Sequence, residues 1–157
     1  MCKRAIILAG GLGTRLKPYT VSLPKPLVPI GDKPILEIII LQLKKYGFSH
    51  ITLAVNHMAN IIEAFFGNGE KWGITIDYSL EKKSLSTMGP LSLINDLPEN
   101  FLVMNGDILT DIDFSNLYRY HIENGKLMTI SACLRSDKQE YGVLEADEND
   151  QLINFKE

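Results

Sequence analysis

The chain has 157 residues, 45% of them hydrophobic and 22% charged, and its formal net charge of −3 is spread along the sequence. That composition is ordinary for one globular domain large enough to bury a core without disulfides or structural metal. It excludes a nucleic-acid binder, which would need a basic stripe, and a membrane protein, which would need a run of about 20 apolar residues.

The apolar run from Ala5 to Ala9 is too short for a signal-peptide core and ends in glycines, as a buried strand does. Cys2 and Cys133 form neither a metal spacing nor a disulfide framework, so a reducing, cytoplasmic setting is expected.

Short apolar runs alternate with longer helical segments, the pattern of a βαβ protein with a mainly parallel sheet. Arg4 to Ala9 reads as the first strand, and a loop rich in glycine and proline runs from there to Lys33. A loop of that length in a small domain points to function. Pro34 suits the first turn of a helix reaching Tyr46, and Gly47 supplies its left-handed stop. Ile51–Val55 is the next strand, Met58–Phe66 a helix, Ile74–Leu80 a strand, Thr87–Asn95 a short helix and Phe101–Asn105 a buried strand. A helix over Phe114–Asn124 follows, then strands at Leu127–Leu134, Gly142–Ala146 and Leu152–Lys156. No repeat or linker divides the chain, so 1–157 reads as a single domain, cut short at its C-terminus because it stops within or just after a strand.

Gly10, Gly11 and Gly13 follow the first strand, where ligands of open parallel sheets sit and where glycine lets backbone amides approach phosphate oxygens. A tight turn alone would also use glycine there. Two common phosphate loops fail. Gly13 is followed by Thr14-Arg15 rather than Lys-Ser/Thr, and the dinucleotide pattern would need a third glycine at Leu16 and an acidic residue near Val55-Asn56.

What remains is a glycine loop carrying Arg15, then Lys25 inside Ser22-Leu23-Pro24-Lys25-Pro26. Prolines on both sides of a lysine hold its backbone extended and lower the entropy lost on ordering, which suits a positioned cation better than a solvated one. Asp107 follows the Phe101–Asn105 strand and would face the same crevice, although a turn after Gly106 also favours aspartate. Asp111 and Asp113 suit the start of the next helix. His50, His57 and His121 show no motif spacing and read as structural or surface residues, while Trp72, Tyr78 and the methionines read as core.

The stretch LAGGLGTRLKPYTVSLPKPLVPIGDKPILE, with NGD at 105–107, YGV at 141–143 and FKE at 155–157, resembles the sugar-phosphate nucleotidyltransferases, also called nucleotide-sugar pyrophosphorylases. The segments TMGPLSLINDL and NGDILTDIDF are most similar to the mannose-1-phosphate guanylyltransferase branch.

The resemblance implies an α/β, Rossmann-like three-layer fold with a mainly parallel, mixed central sheet. It also implies a nucleoside triphosphate and a sugar 1-phosphate as substrates, release of pyrophosphate, and Mg²⁺. By matching motif, Leu8, Ala9, Gly10, Gly11, Gly13, Thr14, Glu81 and Ser86 would bind nucleotide, Arg15 the departing pyrophosphate, and Lys25 the α-phosphate. Asp107 would hold the metal, and Gly142 and Glu157 the sugar; Arg15, Lys25 and Asp107 form the implied catalytic set. A homo-oligomer is compatible with this reading.

The sequence departs from the family where Gly-Thr-Ala-Gly is replaced by Ser86-Thr87-Met88-Gly89. The best match is GTP with mannose 1-phosphate. Thymidylyl, cytidylyl or uridylyl transfer to glucose or another sugar stays open, as does a regulatory subunit that binds nucleotide sugars without catalysis.

Such chemistry needs no catalytic histidine or cysteine. A phosphate monoester, with a second pKa near about 6, is its own nucleophile at neutral pH, so cations and positioning must do the work.

Overall fold

A computed structural model describes residues 3–11, 13–16, 18–83, 85–134 and 143–156, without the side chains of Arg15, Val143 and Lys156. In chain order the elements are β1 (Lys3–Leu8), β2 (Pro29–Ile30), β3 (Lys33–Pro34), α1 (Ile35–Lys45), β4 (Phe48–Val55), α2 (Ala59–Phe66), β5 (Thr75–Leu80), β6 (Leu102–Asn105), α3 (Phe114–Asn124), β7 (Val143–Ala146) and β8 (Leu152–Lys156).

β1, β4, β5 and β6 form a four-stranded parallel sheet in the order β5-β4-β1-β6. The antiparallel component of the expected mixed sheet does not occur among the described strands of this sheet. Antiparallel pairing is confined to the small β2–β3 and β7–β8 hairpins.

Strand alternation sorts the sheet residues onto two faces. Ala5 and Ile7 of β1, Ile51, Leu53 and Val55 of β4 and Ile76 of β5 share one core with Leu36, Ile39, Ile40 and Leu43 of α1, Ile62 and Phe66 of α2, and Phe114 of α3. Each fully buried aliphatic of α1 contributes roughly 1.5–3 kcal/mol by leaving water. The opposite face carries Arg4, Thr52 and Asp77, against which the segment after β5 returns, burying Pro90 and Ile94. Helices, sheet and this returning segment make the three layers of an α/β, Rossmann-like domain.

Local signals explain the boundaries. Pro34 is the N-cap of α1 rather than part of its first turn, and Gly47, with φ +83°, follows the helix end. The Asp113 carboxylate accepts a 2.9 Å hydrogen bond from the Asn116 N–H and caps α3, which spans the expected residues.

The loop between β1 and α1 is more structured than its composition suggests, with single turns of 3-10 helix at Thr14–Leu16, Tyr19–Val21 and Lys25–Leu27 before the β2–β3 hairpin. The expected helix at Thr87–Asn95 is a 3-10 turn over Gly89–Leu93. The expected strand at Leu127–Leu134 does not form: the segment pairs with no described strand, and Leu127, Met128, Ile130 and Leu134 are exposed. Strand propensity without a hydrogen-bonding neighbour does not make a strand.

Trp72 is buried in the core and Tyr78 packs against it, as expected, but Met88 and Met128 are exposed. No helix among the described residues is long and apolar enough to cross a membrane.

Candidate active site

At the carboxyl ends of β1, β4 and β6 lies a cavity of about 550 Å³, lined by Leu8, Ala9, Gly10, Gly11, Gly13, Thr14, Leu16, Lys25, Pro26, Ala54, Glu81, Ser86, Thr87, Pro90, Asn105, Gly106 and Asp107. All eight residues assigned to nucleotide from the sequence line it, together with Lys25 and Asp107. The backbone of Arg15 belongs to the 3-10 turn over Thr14–Leu16, and its side chain lies outside the described residues, as do Gly142 and Glu157.

Backbone hydrogen bonds hold the cavity floor. Ala9 N–H donates to the Ala54 carbonyl (2.8 Å), and Gly106 N–H donates to the Leu8 carbonyl (2.9 Å), so the ends of β1, β4 and β6 are tied together. A side chain at Gly106 would stand 3.2 Å from Ile7 Cγ2 and 3.3 Å from the Leu8 carbonyl oxygen. The glycine therefore lets the chain leave β6 close over β1 and brings Asp107 to the cavity.

Gly10 serves a similar close approach: a Cβ there would lie 3.2 Å from both Asn56 Cβ and Glu81 Oε2. Beyond it the N–H groups of Gly10, Gly11 and Gly13 donate to no acceptor among the described residues. Successive free amides at such a turn are suited to an anion.

Gly13 is left-handed, with φ +61°. Its carbonyl accepts from Thr20 Oγ1 (2.8 Å) and from Leu16 N–H (2.9 Å), which fixes the loop where it turns toward Lys25.

Pro24 is extended, with φ −63° and ψ 143°, and Lys25 opens a 3-10 turn closed by Val28 N–H to the Lys25 carbonyl (3.1 Å). The extended backbone expected at Lys25 is found at Pro24 instead, and Lys25 itself lies in the 3-10 turn, held there by the Val28 N–H and by Leu27 N–H donating to the Pro24 carbonyl (2.8 Å). Lys25 Nζ donates to Asp107 Oδ2, and both side chains are about one-third exposed (33% and 32%). The pair unites a cation from the loop with a carboxylate from the end of β6.

Glu81 is 8% exposed; its carboxylate accepts from Leu85 N–H, and its own N–H donates to the Val55 carbonyl (2.8 Å). Ser86 has φ +66°, a conformation natural to glycine and rare for serine.

No cluster of three or more histidine, cysteine, aspartate or glutamate residues that could hold a metal occurs among the described residues. The half-buried Asp107 carboxylate beside a phosphate-suited loop still fits a hard cation, because Mg²⁺ takes one or two carboxylates and fills its shell with water and substrate phosphates.

The histidines lie elsewhere. His50 Nε2 contacts Asp77 Oδ2 (2.7 Å), His121 Nδ1 contacts Thr129 Oγ1 (2.9 Å), and His57 is exposed.

Sequence reasoning did not assign Asn105, Gly106, Thr87 or Pro90 to the cavity. The first two sat inside the NGD motif, and their place at a strand end was the available signal. Thr87 and Pro90 reach the cavity only because the segment after β5 folds back.

A cavity of this kind, at the carboxyl rim of a parallel sheet and floored by glycine, is where α/β proteins hold phosphorylated ligands. The chain belongs to the nucleotidyl transferase family, whose sequence pattern it matches over residues 4–157.

It is 35% identical over 171 residues to the UTP–glucose-1-phosphate uridylyltransferase of Synechocystis sp., and 41% identical over 160 residues to mannose-1-phosphate guanyltransferase beta-A of Xenopus laevis. Each comparison covers 98% of this chain and 44% of the relative, so the chain spans less than half the length of either. The structure of HddC from Yersinia pseudotuberculosis complexed with GMP-PN superimposes with a TM-score of 0.65 at 28% identity, covering 99% of this chain and 69% of that one.

Proposed function

We propose that this chain forms the nucleotide-binding part of an enzyme that transfers a nucleotidyl group from a nucleoside triphosphate to a sugar 1-phosphate and releases pyrophosphate. GTP and mannose 1-phosphate are the proposed pair, and the cytoplasm the proposed setting. The observation that carries the reading is the meeting of Lys25, Asp107 and the glycine loop of Gly10, Gly11 and Gly13 in one cavity.

The sugar phosphate attacks the α-phosphorus of the nucleotide, and the P–O bond to pyrophosphate breaks. Both reactants are anions, so the barrier is largely electrostatic. The glycine amides would hold phosphate oxygens of the nucleotide, and Arg15 would meet the departing pyrophosphate. Lys25 would exchange its bond to Asp107 for one to the α-phosphate. Asp107, released from Lys25, would hold Mg²⁺, which when bound would neutralise charge on the phosphates. Gly142 and Glu157 would face the sugar.

Uridylyl transfer to glucose 1-phosphate is the second reading, favoured by the similarity to the Synechocystis protein.

A pyrophosphate-release screen of the full-length protein across nucleoside triphosphates and sugar 1-phosphates tests both. Turnover with GTP and mannose 1-phosphate above all other pairs is expected, and a preference for UTP and glucose 1-phosphate establishes the second reading. Nucleotide binding with no release from any pair overturns both in favour of a regulatory subunit.

A further inference from the structure

One charged side chain far from Lys25 and Asp107 in the fold is almost fully buried. Arg4 is 5% exposed, on the sheet face opposite the main core. Its Nε and Nη2 donate to Thr52 Oγ1 (2.9 and 2.8 Å), and Nη2 also reaches Asp77 Oδ2 (3.2 Å). Nη1 donates to the Asp96 carbonyl (2.9 Å) and pairs with Asp96 Oδ2 (3.0 Å).

A single planar group therefore ties β1, β4 and β5 to residue 96. A buried ion pair is weak evidence for stability, since apolar side chains of similar volume often serve as well. What a guanidinium adds is direction, because its donors form a rigid fork.

Asp96 ends the segment that begins at Glu81. That segment is fixed at its start, where Glu81 N–H bonds to the Val55 carbonyl and the Glu81 carboxylate accepts from Leu85 N–H. Between the two fixed points run Ser86, Thr87 and Pro90, one wall of the cavity; Pro90 lies in the 3-10 turn Gly89–Leu93, in which Ser92 Oγ donates to the Gly89 carbonyl (2.7 Å). Ser86 and Thr87 are exposed and make no side-chain hydrogen bond to the described residues. Their position depends on the anchors on either side, Glu81 before them and the buried Pro90 and Ile94 with Asp96 after them.

We infer that Arg4 is a positioning residue for nucleotide: by clamping Asp96 to the sheet it sets the wall Ser86–Pro90 against the bound nucleotide. The inference rests on the cavity being the nucleotide site. It assigns no role toward the sugar phosphate or the chemical step.

The test uses the full-length protein with Asp96→Ala, Arg4→Lys and Arg4→Met. The Asp96 side chain is 73% exposed, so its removal spares the core. Dissociation constants for GTP and UTP are measured by calorimetry, together with kcat and both KM values in the forward reaction.

Asp96→Ala removes the carboxylate contact but leaves the bond from Arg4 Nη1 to the Asp96 carbonyl, so it is expected to weaken nucleotide binding about threefold, and Arg4→Met, which removes both, about tenfold, in the range for residues that act through a neighbour. The kcat and the KM for sugar phosphate stay within about twofold on the same basis. Arg4→Lys falls between wild type and Arg4→Met.

Unchanged nucleotide affinity in both Asp96→Ala and Arg4→Lys overturns the inference, as does an equal loss for both substrates, which signals general loosening. Wild-type protein that binds neither nucleotide overturns the reading of the cavity and this inference with it. Should Arg4→Met fail to fold, the other two variants still decide the matter.

Discussion

Lys25 Nζ donates to Asp107 Oδ2 across 82 residues of sequence, joining the loop after β1 to the turn after β6. Each group is the other's counter-ion when no ligand is bound. On the proposed function, entry of a polyanion would offer the lysine a stronger partner and free the aspartate. The pair acts as a placeholder that keeps both side chains at the cavity.

Replacing either partner by alanine should therefore separate activity from stability. In the full-length protein, Lys25→Ala and Asp107→Ala are each expected to lower pyrophosphate release on the order of 10²-fold or more. Both side chains are about one-third exposed, so unfolding free energy should change by no more than about 1 kcal/mol. Steady-state assay and urea denaturation read the two effects, and near wild-type turnover in either variant removes the assigned role.

Gly13 offers a backbone test. At φ +61° an alanine is strained, and its Cβ would lie 2.8 Å from Thr20 Cγ2. Gly13→Ala should cost about 1–2 kcal/mol for the left-handed conformation alone and weaken nucleotide binding through displacement of the loop. Unchanged melting and unchanged affinity together would show that the loop does not hold this conformation.

At Ser86 the same argument runs in reverse. The residue holds φ +66° with a side chain, so Ser86→Gly removes strain of about 1–2 kcal/mol while adding about 0.5–1 kcal/mol of unfolded-state entropy. The expected net is a small gain in denaturation midpoint with nucleotide affinity kept or improved. Ser86→Val, β-branched at a left-handed position, should weaken nucleotide binding. Affinity lost in Ser86→Gly would instead assign the serine hydroxyl a direct contact.

Asp96 predicts a pH dependence. The hydrogen bond from Arg4, with its charge adding to it, holds the Asp96 carboxyl below the ordinary value of 3.8. Folding thus favours the ionised form: the contribution is complete above the unfolded value and is lost as pH falls through the lower folded value. The wild-type midpoint should fall more steeply than that of Asp96→Asn as pH drops below 3.8, and the two should run parallel above it. Equal slopes in acid would show that the pair is not formed in solution.

Much of this architecture was legible from local chemistry. Gly47 marks the end of α1, and Asp113 marks the start of α3. The apolar runs mark β1, β4 and β6. The glycines and the proline-flanked Lys25 located the cavity because strand ends and stiff backbones are properties of neighbouring residues.

The rest depended on contacts between distant segments. Arg4 read only as the first residue of a strand, and its partners Thr52, Asp77 and Asp96 are what make it a buried clamp. Leu127–Leu134 has the composition of a strand and lacks a neighbour to pair with among the described residues. Composition does not reveal that absence.

The strand order has a kinetic consequence. β4 joins β1 after the glycine-rich loop, the β2–β3 hairpin and α1, so that Ala5 faces Ile51, whereas Ala5 also faces Leu102 of β6, and that pairing closes a loop of about a hundred residues. Distant pairings are the slow ones. Asp107 reaches Lys25 only once β6 has docked, so the cavity is completed late in folding. In a refolding experiment the signal of Trp72, which packs 5.3 Å from Phe66, should return before the capacity to bind nucleotide.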